Sequence, residues 1–152
     1  HGDKKDFWRM TTPNQAKELI YARVVTVLTA ALGAGAFAFD NEAFTPLPGA
    51  AAWARVGVGE TLSLQSTLGA VGTRRFERQG VATFDVNSPT DQGSAAADAV
   101  VKAIRDAFEG VTISGSGSLA VYFTNCQVQN LGIEGASWRV LALASFWFED
   151  RK

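Results

Sequence analysis

The chain reads as an α+β domain: a mainly antiparallel β-sheet with two helices packed on one face. Three observations predict this. Strand signals recur at residues 52–58, 61–68, 76–86, 119–128 and 137–148, several with an apolar residue at every second position. Two other segments, opening near Pro13 and Ala95, carry apolar residues three and four apart and read as amphipathic helices. The order is helix, strands, helix, strands, without the regular βαβ alternation of a parallel sheet.

The first helix is announced by Thr12 as cap and Pro13 in the first turn, where a missing N–H costs nothing. Ala16, Leu19, Ile20, Val24, Val27, Leu28 and Ala31 follow on one face, and Gly33 and Gly35 end the helix. Residues 36–39 can form a short strand before the loop 40–49, in which Pro46 and Pro48 forbid regular structure. Residues 52–58 and 61–68 are expected as two strands separated by a turn at 57–60. The long strand after them places Phe76, Arg78, Gly80, Ala82, Phe84 and Val86 on one side and Arg75, Glu77, Gln79, Val81, Thr83 and Asp85 on the other. Asn87, Ser88, Pro89, Thr90, Asp91 and Gly93 are turn formers, and Pro89, lacking a backbone donor, is expected to stop the strand.

The second helix has Ala97, Val100, Val101, Ile104, Ala107 and Phe108 on its covering face, with Gly110 as its stop. Residues 111–113 read as an edge strand, and the serine-glycine run 114–118 as a flexible turn. Two further strands join across Gly132 and Gly135. In the last, Trp138, Val140, Ala142, Ala144, Phe146 and Phe148 face one way and Leu141, Leu143 and Trp147 the other. A strand apolar on both faces is central or covered by a neighbour.

At 152 residues the chain is expected to be a single domain, 1–152, with residues 1–10 read as disordered or as an extended start before or at Met10. Hydrophobic residues make up 47% and charged residues 19%, so part of the surface is expected to be covered by other subunits. A net charge of −1 gives no global attraction to nucleic acid or to an anionic membrane. The uncharged run 24–39 is shorter than the ~20 residues a membrane helix needs and reads as a core helix.

Catalytic chemistry is poorly supplied. His1 is the one histidine, so the usual general base and metal ligand are missing from the body of the chain. No GxSxG, GxxxxGK[ST] or HExxH motif occurs. Cys126 has no partner for a disulfide, fits a reducing place of synthesis, and reads as a small buried hydrophobe. Asp85, Asp91 and Asp98 match no calcium loop, and the latter two read as helix-start residues. No enzyme activity, catalytic residue, cofactor or metal is therefore expected. Arg74, Arg75 and Arg78, with Arg55 on a neighbouring strand, form the notable cationic cluster. They are either a solvated face paired with Glu77 or contacts to acidic groups of an adjacent copy or to phosphates. Arg78 falls on the apolar face, which demands a place at the sheet rim or a paired one at an interface.

The order of these features resembles the tail terminator, or tail completion, proteins of long-tailed bacteriophages and phage-like particles. Gly72, Arg75, Arg78 and Gly80 match a G-x-x-R-x-x-R-x-G-like strand, Pro89 and Gly93 the turn after it, and Phe108 and Gly110 the end of the following helix. Phe44, Pro46 and Trp53 match an aromatic-proline loop that leads into the first long strand. The likeness spans most of residues 19–148. It implies a homohexameric ring that caps the finished tail tube, stops its polymerisation and presents a surface for head attachment. The implied partners are other copies of the chain, the tail tube protein, a head–tail connector or neck protein, and double-stranded DNA in transit. No membrane is implied; the implied place is the virion tail at the tail–neck junction, after synthesis in the host cytoplasm. Arg74, Arg75 and Arg78 become candidate subunit or channel contacts, and Phe44, Pro46 and Trp53 a candidate partner-contact loop. The alternatives are a head–tail joining protein of the same particle and a small ligand-binding domain using Phe37, Phe39, Phe44 and Trp53 around a pocket.

Overall fold

The computed structural model describes residues 11–46, 48–90, 93–115 and 119–151. Its elements are α1 (Pro13–Leu32), β1 (Phe37–Phe39), β2 (Trp53–Gln65), β3 (Arg75–Pro89), α2 (Ala95–Phe108), β4 (Thr112–Ser114), β5 (Ala120–Glu134) and β6 (Ser137–Arg151). They form one six-stranded sheet in the order β1-β2-β3-β6-β5-β4, antiparallel except for the short parallel pair β1–β2. The α+β class, the mainly antiparallel sheet and the two helices on one face are as the sequence predicts.

Helix α1 starts where expected. Thr12 Oγ1 accepts from the Gln15 N–H at 3.2 Å while Gln15 Oε1 accepts from the Thr12 N–H at 2.9 Å, a reciprocal capping box. Its buried stripe, Ala16, Ile20, Val24 and Leu28, lies against the sheet in one core with Ala97, Val100, Val101, Ile104 and Phe108 of α2. From the sheet come Ala54 and Val56, Ala82, Phe84 and Val86, and Val140, Ala142, Ala144, Phe146 and Phe148. The period-two pattern in β3 and β6 thus selects the helix-covered face. Phe108 is fully buried between Phe84 and Phe123, with ring centroids 5.4 and 5.0 Å away. No described helix is long and apolar enough to cross a membrane.

Several boundaries differ from the sequence expectation. Residues 57–60 make no turn: β2 runs unbroken to Gln65, with a bulge between Glu60 and Leu62 that shifts the register against β3. Gly57 and Gly80 are there for close approach. A side chain at Gly57 would collide with Asp40, and a side chain at Gly80, opposite Glu60 on β3, would meet the Gly59 carbonyl. Asn87 and Ser88 extend β3 rather than turning, because β6 pairs with it to the end, Pro89 against Ser137. Strand β5 likewise continues to Glu134, bulging at Gly132, whose φ is 80°, before the two-residue turn at Gly135. All three boundaries moved for one reason: a partner strand satisfied backbone groups that turn-forming side chains suggested were free. The extended start, Asp91 and most of the serine-glycine turn lie outside the described residues.

Candidate assembly surfaces

The helices cover one face of the sheet. The other carries Val81, Thr83, Leu141, Leu143, Ser145 and Trp147 along its centre, all half-buried, with Tyr122 stacked on Trp147 at 4.4 Å. Apolar and amide or hydroxyl groups therefore dominate this face. Two of its arginines are bonded within the chain. Arg139 donates to Asp85 at 2.6 Å and also to Glu134, and these two carboxylates raise the guanidinium pKa. Arg55 donates to the carbonyls of Asp40 and Glu42 at 3.2 and 3.3 Å, bracing the loop after β1.

The predicted arginine cluster is partly dispersed. Arg55 sits opposite Asp85, whereas Arg78 sits opposite Ser63. Seven positions at about 3.3 Å each separate the two by roughly 23 Å along the strand. Arg78 falls on the helix-covered side, as parity demands, and its Nη2 lies 3.1 Å from Asp150 Oδ2 while its guanidinium rests 5.0 Å from the Phe76 ring centre. Its partner is thus within the chain. Glu77 accepts from Gln79 at 2.7 Å rather than from an arginine. Arg74 lies just before β3, its guanidinium 6.0 Å from the Phe76 ring, and Arg75 begins the strand opposite Arg151.

The aromatic loop packs mainly inward. Phe37 and Phe39 lie against the core, and Tyr21 meets Phe39 at 4.3 Å. Phe44, Pro46 and Trp53 are half-buried and offer only part of their surface to a partner. A shallow cavity of about 500 Å³ near this loop is lined by Ala31, Leu32, Ala36, Pro48, Ala52 and Val100, not by the four aromatics expected around a pocket.

Cys126 is buried, and burial, helped by Glu109 and opposed by Arg105, pushes its thiol pKa up. A protonated thiol is a poor nucleophile. Asp98 accepts from Ser94 Oγ at 3.0 Å at the start of α2, and Asp85 is held by Arg139. No cluster of metal-ligating side chains occurs among the described residues.

The sequence reading missed two features. One is the Arg139–Asp85–Glu134 network, because Asp85 and Arg139 are 54 residues apart and meet only through the β3–β6 register. The other is a set of exposed apolar side chains on strand segments, Leu62, Leu64, Leu131 and Ile133, joined by Leu68 and Val71 in the β2–β3 connection. Their signal was present in the alternation of TLSLQ and in the LGIE run, but not which strands would lie outermost.

The sheet is covered by helices on one side and carries exposed apolar side chains on its outer strands, with no cluster of metal-ligating side chains among the described residues. The model of the family described as "Phage tail terminator protein" matches residues 18–144, and the chain belongs to that family of structural tail proteins. One solved structure that carries no descriptive name matches with a TM-score of 0.63 and 24% identity, covering 87% of this chain and 94% of its own. A chain from the virion of a native gene transfer agent particle matches with a TM-score of 0.50 and 22% identity, covering 86% of this chain and 90% of its own. At these identities the two likenesses speak for the fold. No curated protein matches significantly.

Proposed function

We propose that the chain closes the finished tail tube as a homohexameric ring, stopping tube polymerisation and presenting the surface to which the head attaches. The observation that carries this reading is the family match over residues 18–144, from the second turn of α1 into β6. The surface chemistry supports it. A helix-free face whose centre is apolar and amide or hydroxyl side chains, with Arg139 and Arg55 already bonded within the chain, suits a channel through which DNA slides without being held. The role calls on no cofactor and no catalytic group, and the partners are the tube protein and a connector or neck protein. On this reading Arg74 and Arg75 meet a neighbouring subunit or the channel, and Arg78 acts from its pair with Asp150. The half-exposed Phe44, Pro46 and Trp53 touch an axial neighbour. The place is the tail–neck junction of a virion assembled in the host cytoplasm.

The test is removal of the gene from cells that produce the particle, followed by measurement of tail lengths in electron micrographs. Tails of uncontrolled length without heads are expected, restored by supplying the protein. Tails of normal length without heads would instead assign the chain to head–tail joining, and normal tails with heads attached would sink both roles.

A further inference from the structure

Both edges of the sheet are half covered. Strand β1 pairs only with residues 54–56 of β2, through bonds such as Asp40 N–H to Val56 C=O at 2.9 Å. Residues 58–65 of β2 have no outer neighbour among the described strands. On the far side, β4 pairs only with residues 120–122 of β5. The next outward groups are taken up by α2 and the turn after it: Cys126 N–H donates to Glu109 Oε2 at 3.1 Å, and Cys126 C=O accepts from Arg105 at 3.3 Å. Residues 127–134 then have no outer neighbour among the described strands.

Open edges are normally blunted with lysine, proline or inward charges. These two contain none of those devices: each eight-residue segment holds one glutamate, no proline and no cation. Instead they carry Leu62 and Leu64 on one and Leu131 and Ile133 on the other, 45 to 69% exposed, half of the large apolar side chains exposed on the described surface. Equal length, lack of protection and apolar content point to a strand partner for each.

We infer that the bare edge of β2 in one copy pairs with the bare edge of β5 in the next copy, continuing the sheet from subunit to subunit. Strand polarity permits it. Strands β2 and β6 run one way, β3 and β5 the other, so copies related by rotation about an axis bring β2 against β5 antiparallel. The offset fits a closed barrel. Gly57 and Gln127 share one row across β3 and β6, and the bare segments extend from that row in opposite directions. They overlap only if successive copies slide along the strands. Four strands per copy at about 4.8 Å span roughly 19 Å, and a barrel tilt of about 40° over that width requires a slide of about 16 Å, near five residues. The pleat admits only an even number of rows, and the nearest, four rows or about 13 Å, sets Leu62 of one copy, beyond its bulge, opposite Gln127 of the next, both on the helix-free face.

The inference rests on the ring reading, but its test is separate from tail-length control. The purified chain is prepared as L62C/Q127C, with Cys126 replaced by alanine, and oxidised. A ladder of dimer, trimer and higher species on non-reducing gels is expected, while neither single-cysteine chain gives more than background dimer. No ladder, or efficient dimers from L62C alone, which would mean β2 meeting β2, overturns the edge pairing. Charged variants supply the second arm. L62K/L64K and L131K are each expected to be monomeric by ultracentrifugation, with parental circular dichroism. Mixed, they should form only a one-to-one dimer, since each retains the edge the other lacks. Unchanged self-association of either variant overturns the proposal, whatever the tail-length experiment shows.

Discussion

Gly80 offers a test of how the sheet is packed, because two opposing effects predict opposite signs for Gly80→Ala. Glycine inside a strand costs roughly 0.5–1 kcal/mol relative to alanine through its extra unfolded-state freedom, so an unobstructed substitution would stabilise the protein. Here the added Cβ would lie 2.5 Å from the Gly59 carbonyl oxygen and 2.5 Å from Phe146 Cζ, with Cε1 at 3.0 Å. Neither obstacle yields easily. The carbonyl belongs to the neighbouring strand at the approach to its bulge, and Phe146 is 4% exposed, packed between Phe123 and Phe148. Forcing a methyl into so tight a site typically costs 1–3 kcal/mol, which outweighs the entropic gain and leaves a net loss of about 1–2 kcal/mol. For a chain of this length that lowers Tm by roughly 2–8 °C.

Differential scanning calorimetry of the parent, Gly80→Ala, Phe146→Leu and the double variant decides the matter. Trimming the ring relieves one of the two collisions and leaves the Gly59 carbonyl in place, so partial rescue is expected, with a coupling of about 1 kcal/mol between the two sites. A Gly80→Ala protein as stable as the parent, or more stable, refutes the packing argument outright. Additive losses in the double variant would place the obstruction on the carbonyl alone.

Three further outcomes are expected. Arg78→Gln strands the Asp150 carboxylate, which is 7% exposed, and should cost about 2 kcal/mol in urea denaturation, less than a fully buried pair because both side chains keep some contact with water; Arg78→Gln/Asp150→Asn should lose less than the two single changes together. Thr12→Ala removes the hydroxyl that accepts from the Gln15 N–H, leaving the backbone half of the capping box, and should cost about 1 kcal/mol, read as a lower Tm with unchanged helical circular dichroism below the transition. Burial raises the Cys126 thiol pKa in the folded chain, so its contribution to stability is intact below the ordinary thiol range and is lost as pH rises through that range towards the folded value, where the unfolded chain ionises first; Cys126→Ala should flatten this alkaline loss, and an equal loss in both proteins would assign it elsewhere.

The sequence made legible whatever is decided by local pattern. The α1 start follows from Thr12, Pro13 and the apolar spacing, and the faces of β3 and β6 follow from alternation, which puts Arg78 on the helix-covered side but does not reveal Asp150 as its partner within the chain. Strand ends were less legible, since whether Asn87 and Ser88 turn or pair depends on Arg139 and Trp138, about fifty residues away. The arginine cluster shows the same limit: Arg55 and Arg78 look adjacent when only strand neighbourhood is known, and the register separates them. The bare edges were invisible for a related reason. That Leu62 and Ile133 occur in strands can be read from sequence, but that β1 and β4 are too short to cover them is a property of the assembled sheet.

Those short outer strands also bear on why growth by edge pairing would stop. A sheet with two fully open, level edges could add copies side by side without limit, the hazard that exposed edges pose. Strands β1 and β4 block one half of each edge, and the halves they leave lie at opposite ends of the sheet. Each added copy must then slide along the strands before it can pair, which tilts the strands relative to the assembly axis and curls the growing sheet. The result is a heterologous contact whose repetition closes when the rotation divides the circle and otherwise climbs into a helix. The bulges at Glu60/Leu62 and Asn130/Gly132, one on each bare edge, add twist where the curvature is needed. On the proposed edge pairing, extending β1 by three or four pairing residues along β2 should therefore abolish self-association while leaving the fold of the single copy unchanged.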